Sequence, residues 1–217
     1  TLVIPAFAVG RAQSLLYYVA RLKASKRIPE LPVYLDSPMA IEAGEILLAH
    51  RGDHRLSDAE CRMLDGAARI VRTADESKSI DHGRVPSIIV SASGMATGGR
   101  VLHHLKTFAP DPRNTILFAG FQAGGTRGAS MLGGAKEIKI HGAYVPVRAE
   151  VANLDMLSAH ADSAEILAWL RACGRAPRTT FITHGEPAAS DALRRRIGET
   201  LGWDCVVPTY RDRVSLG

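Results

Sequence analysis

Short apolar runs recur along the chain, and a helical pattern follows three of the first four. The runs are rich in β-branched or aromatic residues and are bounded by turn signals, which is typical of buried strands. The predicted strands are 2–7, 33–35, 87–92 and 115–121, and the predicted helices are 11–24, 39–50, 57–70 and 99–108. Alternation of strands with helices predicts an α/β fold with a doubly wound, mostly parallel sheet.

The pattern changes after about residue 134. Residues 136–157 alternate apolar with polar positions around a Gly/Pro turn, which is typical of two or three antiparallel strands. Later segments are predicted as a helix at 163–172, a buried strand at 178–183, a helix at 187–201 and a last strand at 204–207. We therefore expect two domains, 1–134 and 135–217.

Composition is ordinary for a folded protein, with 46% hydrophobic and 23% charged residues. No apolar run reaches the roughly 20 residues that a membrane helix needs, so no membrane partner is expected. The net charge of +5 is carried mostly by arginine, with 21 Arg against 6 Lys, and guanidinium suits phosphate recognition. Three scattered cysteines form no disulfide framework, which favours a reducing, cytoplasmic setting.

Three glycine-containing turns follow predicted strands: residues 8–11, 91–100 and 120–128. Loops at the carboxyl ends of parallel strands form the ligand crevice, and glycine lets the backbone approach a phosphate. The alternative is that glycine only permits tight turns. No P-loop or dinucleotide motif is present. The predicted phosphate-binding residues are Ser93, Gly94, Thr97, Gly98, Thr126 and Arg127.

Two histidines stand where a side chain can serve chemistry. His160 lies in a turn before a helix whose Asp162 and Glu165 have capping-box spacing, and His184 follows the strand 178–183 and precedes a glycine. A histidine in such a position can bind zinc or act as a general acid. The alternative for each is a capping or core residue. Two histidines alone do not complete a zinc site, which needs three or four ligands.

The turn after the second strand has a simpler interpretation. Asp36 or Ser37 is predicted to cap the following helix, and Pro38 suits its first position. The same turn borders the predicted crevice.

Together these blocks resemble the β-CASP branch of the metallo-β-lactamase superfamily. The resemblance is closest to the prokaryotic relatives of the endonuclease subunit that cleaves pre-mRNA 3′ ends. The matching stretches are IPAFAVGRAQSLL, VYLDSPMA, SASGMATGGR, LFAGFQAGGTRG, RAEVANLDMLSAHAD and ITHGEP.

This resemblance implies a β-CASP cassette in 1–134 and the C-terminal returning segment of a metallo-β-lactamase αββα fold in 135–217. It implies a ribonuclease with two zinc ions that hydrolyses RNA phosphodiester bonds, with RNA in the cleft between cassette and lactamase fold. His160 matches the family's general acid, and His184 matches a zinc ligand.

The family's HxHxDH signature, which supplies most metal ligands, is absent from this sequence. We therefore expect a C-terminal fragment that lacks a complete zinc site and is inactive alone. Its exposed apolar surface could drive homodimer formation. Two alternatives stay open: a noncatalytic module that binds RNA or a partner, and an α/β enzyme that binds a nucleotide or phosphosugar.

Overall fold

The computed structural model describes residues 1–83, 85–156 and 158–215. The polypeptide forms two compact units, Thr1–Ser158 and Ala159–Gly217. Leu157, within the predicted LDMLSAHAD stretch, lies outside the described residues.

A six-stranded parallel sheet forms the centre of the first unit, in the order β3-β2-β4-β1-β5-β8. This confirms the predicted α/β class with a mostly parallel sheet. The strands are β1 (Leu2–Pro5), β2 (Val33–Asp36), β3 (Arg69–Ile70), β4 (Ile88–Ser91), β5 (Thr115–Ala119) and β8 (Glu150–Leu154).

In the described part of this unit, six α-helices accompany the sheet. They are α1 (Arg11–Ala24), α2 (Pro38–Ala49), α3 (Asp58–Asp65), α4 (Ala74–Asp81), α5 (Val101–Phe108) and α6 (Arg127–Leu132), with a short 3-10 helix at Arg51–Asp53. The predicted helix at 57–70 is too long, because Gly66 ends α3 and the chain then pairs as β3 beside β2. Helices α4 and α6 were not predicted.

Local sequence explains where two of these helices begin. The Ser57 side chain accepts from the Glu60 amide while Glu60 reaches back to the Ser57 amide, which confirms the predicted capping box. The Ser37 hydroxyl caps α2 by accepting from the Ala40 amide, with Pro38 at the first helical position. Ser37 is therefore the capping residue of that turn, and the Asp36 side chain has other partners.

Both faces of the sheet are covered by apolar side chains. Neighbouring residues of β1 point to opposite faces, so that Val3 joins one hydrophobic cluster and Ile4 the other. In β4, Ile89 and Val90 divide in the same way. Burial on both faces explains why the strands read as continuous apolar runs.

The segment after α6 differs in part from the expectation. Strands β6 (Glu137–Ile140) and β7 (Ala143–Pro146) form the predicted antiparallel hairpin. Strand β8 instead extends the parallel sheet beside β5. The compact units divide between Ser158 and Ala159, because β8 pairs with the sheet that the earlier strands build. The assignment of 1–134 and 135–217 to two domains stays a prediction.

The second unit contains α7 (Ser163–Arg171), β9 (Thr180–Phe181), α8 (Pro187–Leu201) and β10 (Cys205–Val206). Leu167, Leu170, Ile182 and Ile197 form its small core. The predicted buried strand 178–183 is buried only at Ile182, because β9 belongs to a two-stranded sheet and Phe181 is 36% exposed. Among the helices of the described residues, none is both apolar and long enough to cross a membrane.

Candidate nucleic-acid interface

The three glycine-containing turns meet at one edge of the first unit's sheet. They follow β4, β1 and β5, which are neighbours in the sheet and run parallel. A Cβ on Gly94 would lie 2.8 Å from Cδ2 of Phe7, and one on Gly120 would lie 3.7 Å from Nη2 of Arg11. The turn after β1 thus contacts both other turns, as expected for loops at the carboxyl ends of adjacent strands.

Gln122 joins two of these turns, a role that the sequence analysis missed because no local pattern indicates it. Its Nε2 donates to the carbonyl oxygens of Gly94 at 3.0 Å and Gly120 at 3.3 Å. A Cβ on Gly128 would lie 1.7 Å from Gln122 Oε1, so glycine is needed where the Gln122 amide packs on α6. The Gly128 amide also donates to the Met95 carbonyl oxygen at 3.1 Å.

The half-buried Ser93 and the exposed Thr97 form the polar tip of the loop between β4 and α5. The Thr97 amide donates to Ser93 Oγ at 3.0 Å, and the two hydroxyl oxygens are 3.0 Å apart. A Cβ on Gly98 would meet no atom within 4 Å, so Gly98 leaves open space beside these hydroxyls. Phosphate oxygens accept hydrogen bonds from hydroxyl groups, and they can approach a glycine backbone closely.

Arg127 and Thr126 both have structural partners. Arg127 donates through Nε to the Lys139 carbonyl oxygen at 2.6 Å, and through Nη1 to those of Ala96 and Thr97 at 3.2 Å each. The Thr126 hydroxyl caps α6 by accepting from the Ala129 amide. Arg127 therefore fixes the β4–α5 loop to β6, and phosphate binding by these two residues stays a prediction.

An open groove of about 350 Å³ lies along these residues. Thr97, Thr126 and Arg127 line it together with Ser130 and Lys139. Two cationic side chains and three hydroxyls give it the chemistry of an anion site, which Glu137 on the same wall partly offsets.

A largely buried ion network lies next to the loop between β4 and α5, and the sequence interpretation missed it. Asp36 Oδ1 accepts from Arg100 Nη1 at 2.7 Å, and Asp36 Oδ2 is 2.8 Å from His104 Nε2. The other ring nitrogen of His104 is 2.6 Å from Asp81 Oδ1. Arg100 and His104 are four residues apart, a spacing that places two side chains on one face of a helix. This spacing was the sequence signal that could have indicated the network.

The surroundings of His104 favour the imidazolium. Burial alone would lower the pKa of His104, but hydrogen bonds and charge from Asp36 and Asp81 raise it to about 9. Burial alone would raise the pKa of Asp36, but hydrogen bonds from His104, Ser77 and Arg100 hold it below its ordinary range. Two cations and two carboxylates thus balance in the interior.

This network predicts a pH-dependent stability. Because the pKa of His104 is about 9 when folded and about 6.5 when unfolded, its stabilisation is complete below pH 6.5 and is lost as pH rises through 9. The free energy of unfolding from urea titrations should fall across that window. The fall should be absent from His104→Gln. A free energy that stays constant or rises in the unsubstituted chain would contradict the assignment.

His160 and His184 both lie in the second unit and are exposed. His160 precedes α7, where Asp162 caps the helix by accepting from Ala164 and Glu165 amides at 2.8 and 2.9 Å, completing the predicted capping box. His184 has a φ of 63° in the turn before α8. Neither imidazole is a core residue or a helix cap. That they face one groove stays a prediction.

The described residues do not by themselves fit a two-zinc centre. Within 1–83, 85–156 and 158–215, no group of three or more His, Cys, Asp or Glu side chains is placed to hold a metal ion. A catalytic zinc site usually takes three protein ligands. His184 can supply one imidazole, and the remaining ligands of such a centre are not among these residues.

Comparison with known proteins assigns both parts of the chain. Residues 12–131 match the model of the Beta-Casp domain. Residues 144–208 match the model described as the Zn-dependent metallo-hydrolase RNA specificity domain. The first match covers more than half of the chain.

The similar proteins are longer than this chain. Ribonuclease TTHA0252 of Thermus thermophilus is 36% identical over 192 residues, which are 84% of this chain and 42% of that protein. The transcription termination factor FttA of Methanosarcina mazei is 34% identical, over 99% of this chain and 35% of its own length. An RNase J-like protein of Methanocaldococcus jannaschii is 31% identical, over 95% and 48%. The chain thus spans less than half of each.

Proposed function

Because the chain belongs to the β-CASP family, we propose that it is part of a zinc-dependent ribonuclease that hydrolyses RNA phosphodiester bonds. The observation that carries the proposal is the meeting of three glycine-containing turns at one edge of the sheet. Backbone amides, the hydroxyls of Ser93 and Thr97, and Arg127 with Lys139 would contact successive phosphates there.

The two histidines take separate roles in this proposal. His160 donates a proton to the leaving oxygen of the cleaved bond, which a side chain in a solvent-facing turn can reach. His184 supplies one imidazole to a zinc ion. Bound zinc would stabilise charge that develops on the phosphate, and the residues described here complete no such site. The 217-residue chain alone is therefore proposed to bind RNA without cutting it.

RNA binding by the 217-residue chain tests this proposal. Fluorescence anisotropy with labelled single-stranded RNA should show an affinity that weakens as salt increases. Two phosphates neutralised by Arg127 and Lys139 predict a logarithmic slope of about −1.4, since each contributes roughly −0.7 on a single strand. AMP should compete far less well than an unlabelled oligonucleotide.

Matched variants connect this result to the turns. Thr97→Val should weaken RNA binding, whereas Thr107→Val should not, because Thr107 lies on α5 and bonds only to the His103 carbonyl oxygen. A slope near zero with equal competition by AMP would contradict the ribonuclease proposal and favour a small-molecule enzyme. We also propose that the intact protein acts on RNA, is located in the cytoplasm and forms a homodimer.

A further inference from the structure

Asp36 holds both ends of the β4–α5 loop, defined here as residues 92–100. At the beginning of the loop, the Ser91 hydroxyl donates to the Asp36 carbonyl oxygen at 2.8 Å. At its end, Arg100 donates to Asp36 Oδ1 at 2.7 Å. Asp36 of β2 therefore binds the beginning of the loop through its carbonyl oxygen and the end of the loop through its carboxylate.

Arg100 also anchors the loop to the segment after β3. Its Nη1 donates to the Val71 carbonyl oxygen at 3.1 Å, and its Nη2 to that of Arg72 at 2.8 Å. A guanidinium in a fixed fork can hold three acceptors in one geometry. The end of the loop is therefore fixed in position and in direction.

His104 in turn fixes the carboxylate of Asp36. Its two ring nitrogens bridge Asp36 of β2 and Asp81 of α4, while Ser77 of α4 donates to the same Asp36 oxygen as His104. Asp36 and His104 have fully buried side chains, and that of Asp81 is 11% exposed. Among the described residues, none of these side chains lines the groove, so we expect the network to affect a ligand through the loop.

We propose that Asp36 and His104 are positioning residues for RNA binding, because they fix the β4–α5 loop in the conformation that presents Ser93 and Thr97. This rests on the proposed function of the loop. Glycine-rich segments lose much conformational entropy when ordered, and Gly99 holds a φ of 76°. A loop already anchored at both ends avoids part of that cost when RNA binds.

The test compares two variants of the network with two matched controls in the 217-residue chain. Asp36→Asn and His104→Gln each remove one charge of the network, whereas Asp111→Asn and His103→Gln make the same changes outside it, at a half-buried and an exposed position. RNA affinity should fall by about tenfold in the first pair and stay within about twofold in the second. Hydrogen exchange of amides 92–99 should accelerate only in the first pair.

The outcomes separate the inference from the proposed function. If the unsubstituted chain does not bind RNA, the function fails. If it binds RNA and a folded Asp36→Asn chain binds equally well, the positioning role is overturned. Folding itself is checked by circular dichroism.

A pH arm keeps the test decisive when a variant does not fold. The groups that face His104 are Asp36 from β2 and Ser77 and Asp81 from α4. Arg100, directly before α5, binds the Asp36 carboxylate that His104 also contacts. RNA affinity of the unsubstituted chain should decline as pH approaches about 9, and that of His103→Gln, which retains the network, should decline in parallel. Asp81→Asn should shift that decline to lower pH, since one carboxylate charge is lost. Identical pH profiles for Asp81→Asn and the unsubstituted chain would overturn the role.

Discussion

Asp36→Ala is expected to lower the free energy of unfolding by about 3–5 kcal/mol, the cost typical of removing one partner from a buried ion pair. The substitution leaves His104 and Ser77 without the carboxylate oxygen that they share, and Arg100 without its charged partner. His104 and Ser77 are too deeply buried for water to replace the lost contacts, whereas Arg100 is partly exposed. Urea denaturation at pH 7 measures the change, with one common m-value fitted to the variant and the unsubstituted chain.

Asp111→Ala is the matched control for this prediction. Asp111 also pairs with an arginine, Arg113 at 2.6 Å, but this pair is at the surface, where the Arg113 side chain is 87% exposed. Its loss should leave the urea midpoint nearly unchanged. If both substitutions shifted the midpoint equally, the buried network would have no special part in stability.

His160→Ala in the intact protein is expected to slow RNA cleavage by roughly 10²–10⁴-fold, the usual contribution of a general acid. Zinc content should stay unchanged, because His160 is proposed to donate a proton and not to bind metal. Single-turnover cleavage of a labelled RNA, with zinc measured by mass spectrometry, checks both points. The intact protein is needed because the chain spans less than half the length of its relatives.

Two further variants define what the His160 result means. His184→Ala should lower zinc content together with activity, since His184 is proposed as a ligand. His50→Ala should change neither, because His50 pairs only with Asp53 at the surface of the first unit. Normal cleavage by the His160→Ala protein would remove His160 from the mechanism.

Much of the fold was predictable, because a strand that is buried on both faces of a parallel sheet appears in the sequence as an apolar run. Strand β1 is apolar throughout, and β2, β4 and β5 are apolar except at one terminal residue each, Asp36, Ser91 and Thr115. Helix α1 was predicted with its observed bounds. Capping boxes at Ser57 and Asp162 are equally local. Strand β3 was missed because its two residues are exposed and are ordered only by pairing with β2.

The candidate site was predictable to a smaller extent. The three turns could be placed at one edge of the sheet, since parallel strands bring their carboxyl ends together. The hydrogen bonds of Arg127 to Ala96, Thr97 and Lys139 could not be foreseen, because they join segments up to 31 residues apart. An arginine in a glycine-rich turn looks the same in sequence whether it binds phosphate or backbone.

The sequence by itself determined the α/β class, most helices and strands, the convergence of the glycine-containing turns and the two histidine positions, because each depends on neighbouring residues or on strand direction. Only the tertiary structure decided that β8 joins the first sheet and that Asp36 belongs to a buried network with Arg100, His104 and Asp81. Those partners lie 45 to 68 residues from Asp36 along the chain, and no local pattern records a contact that burial and charge balance create.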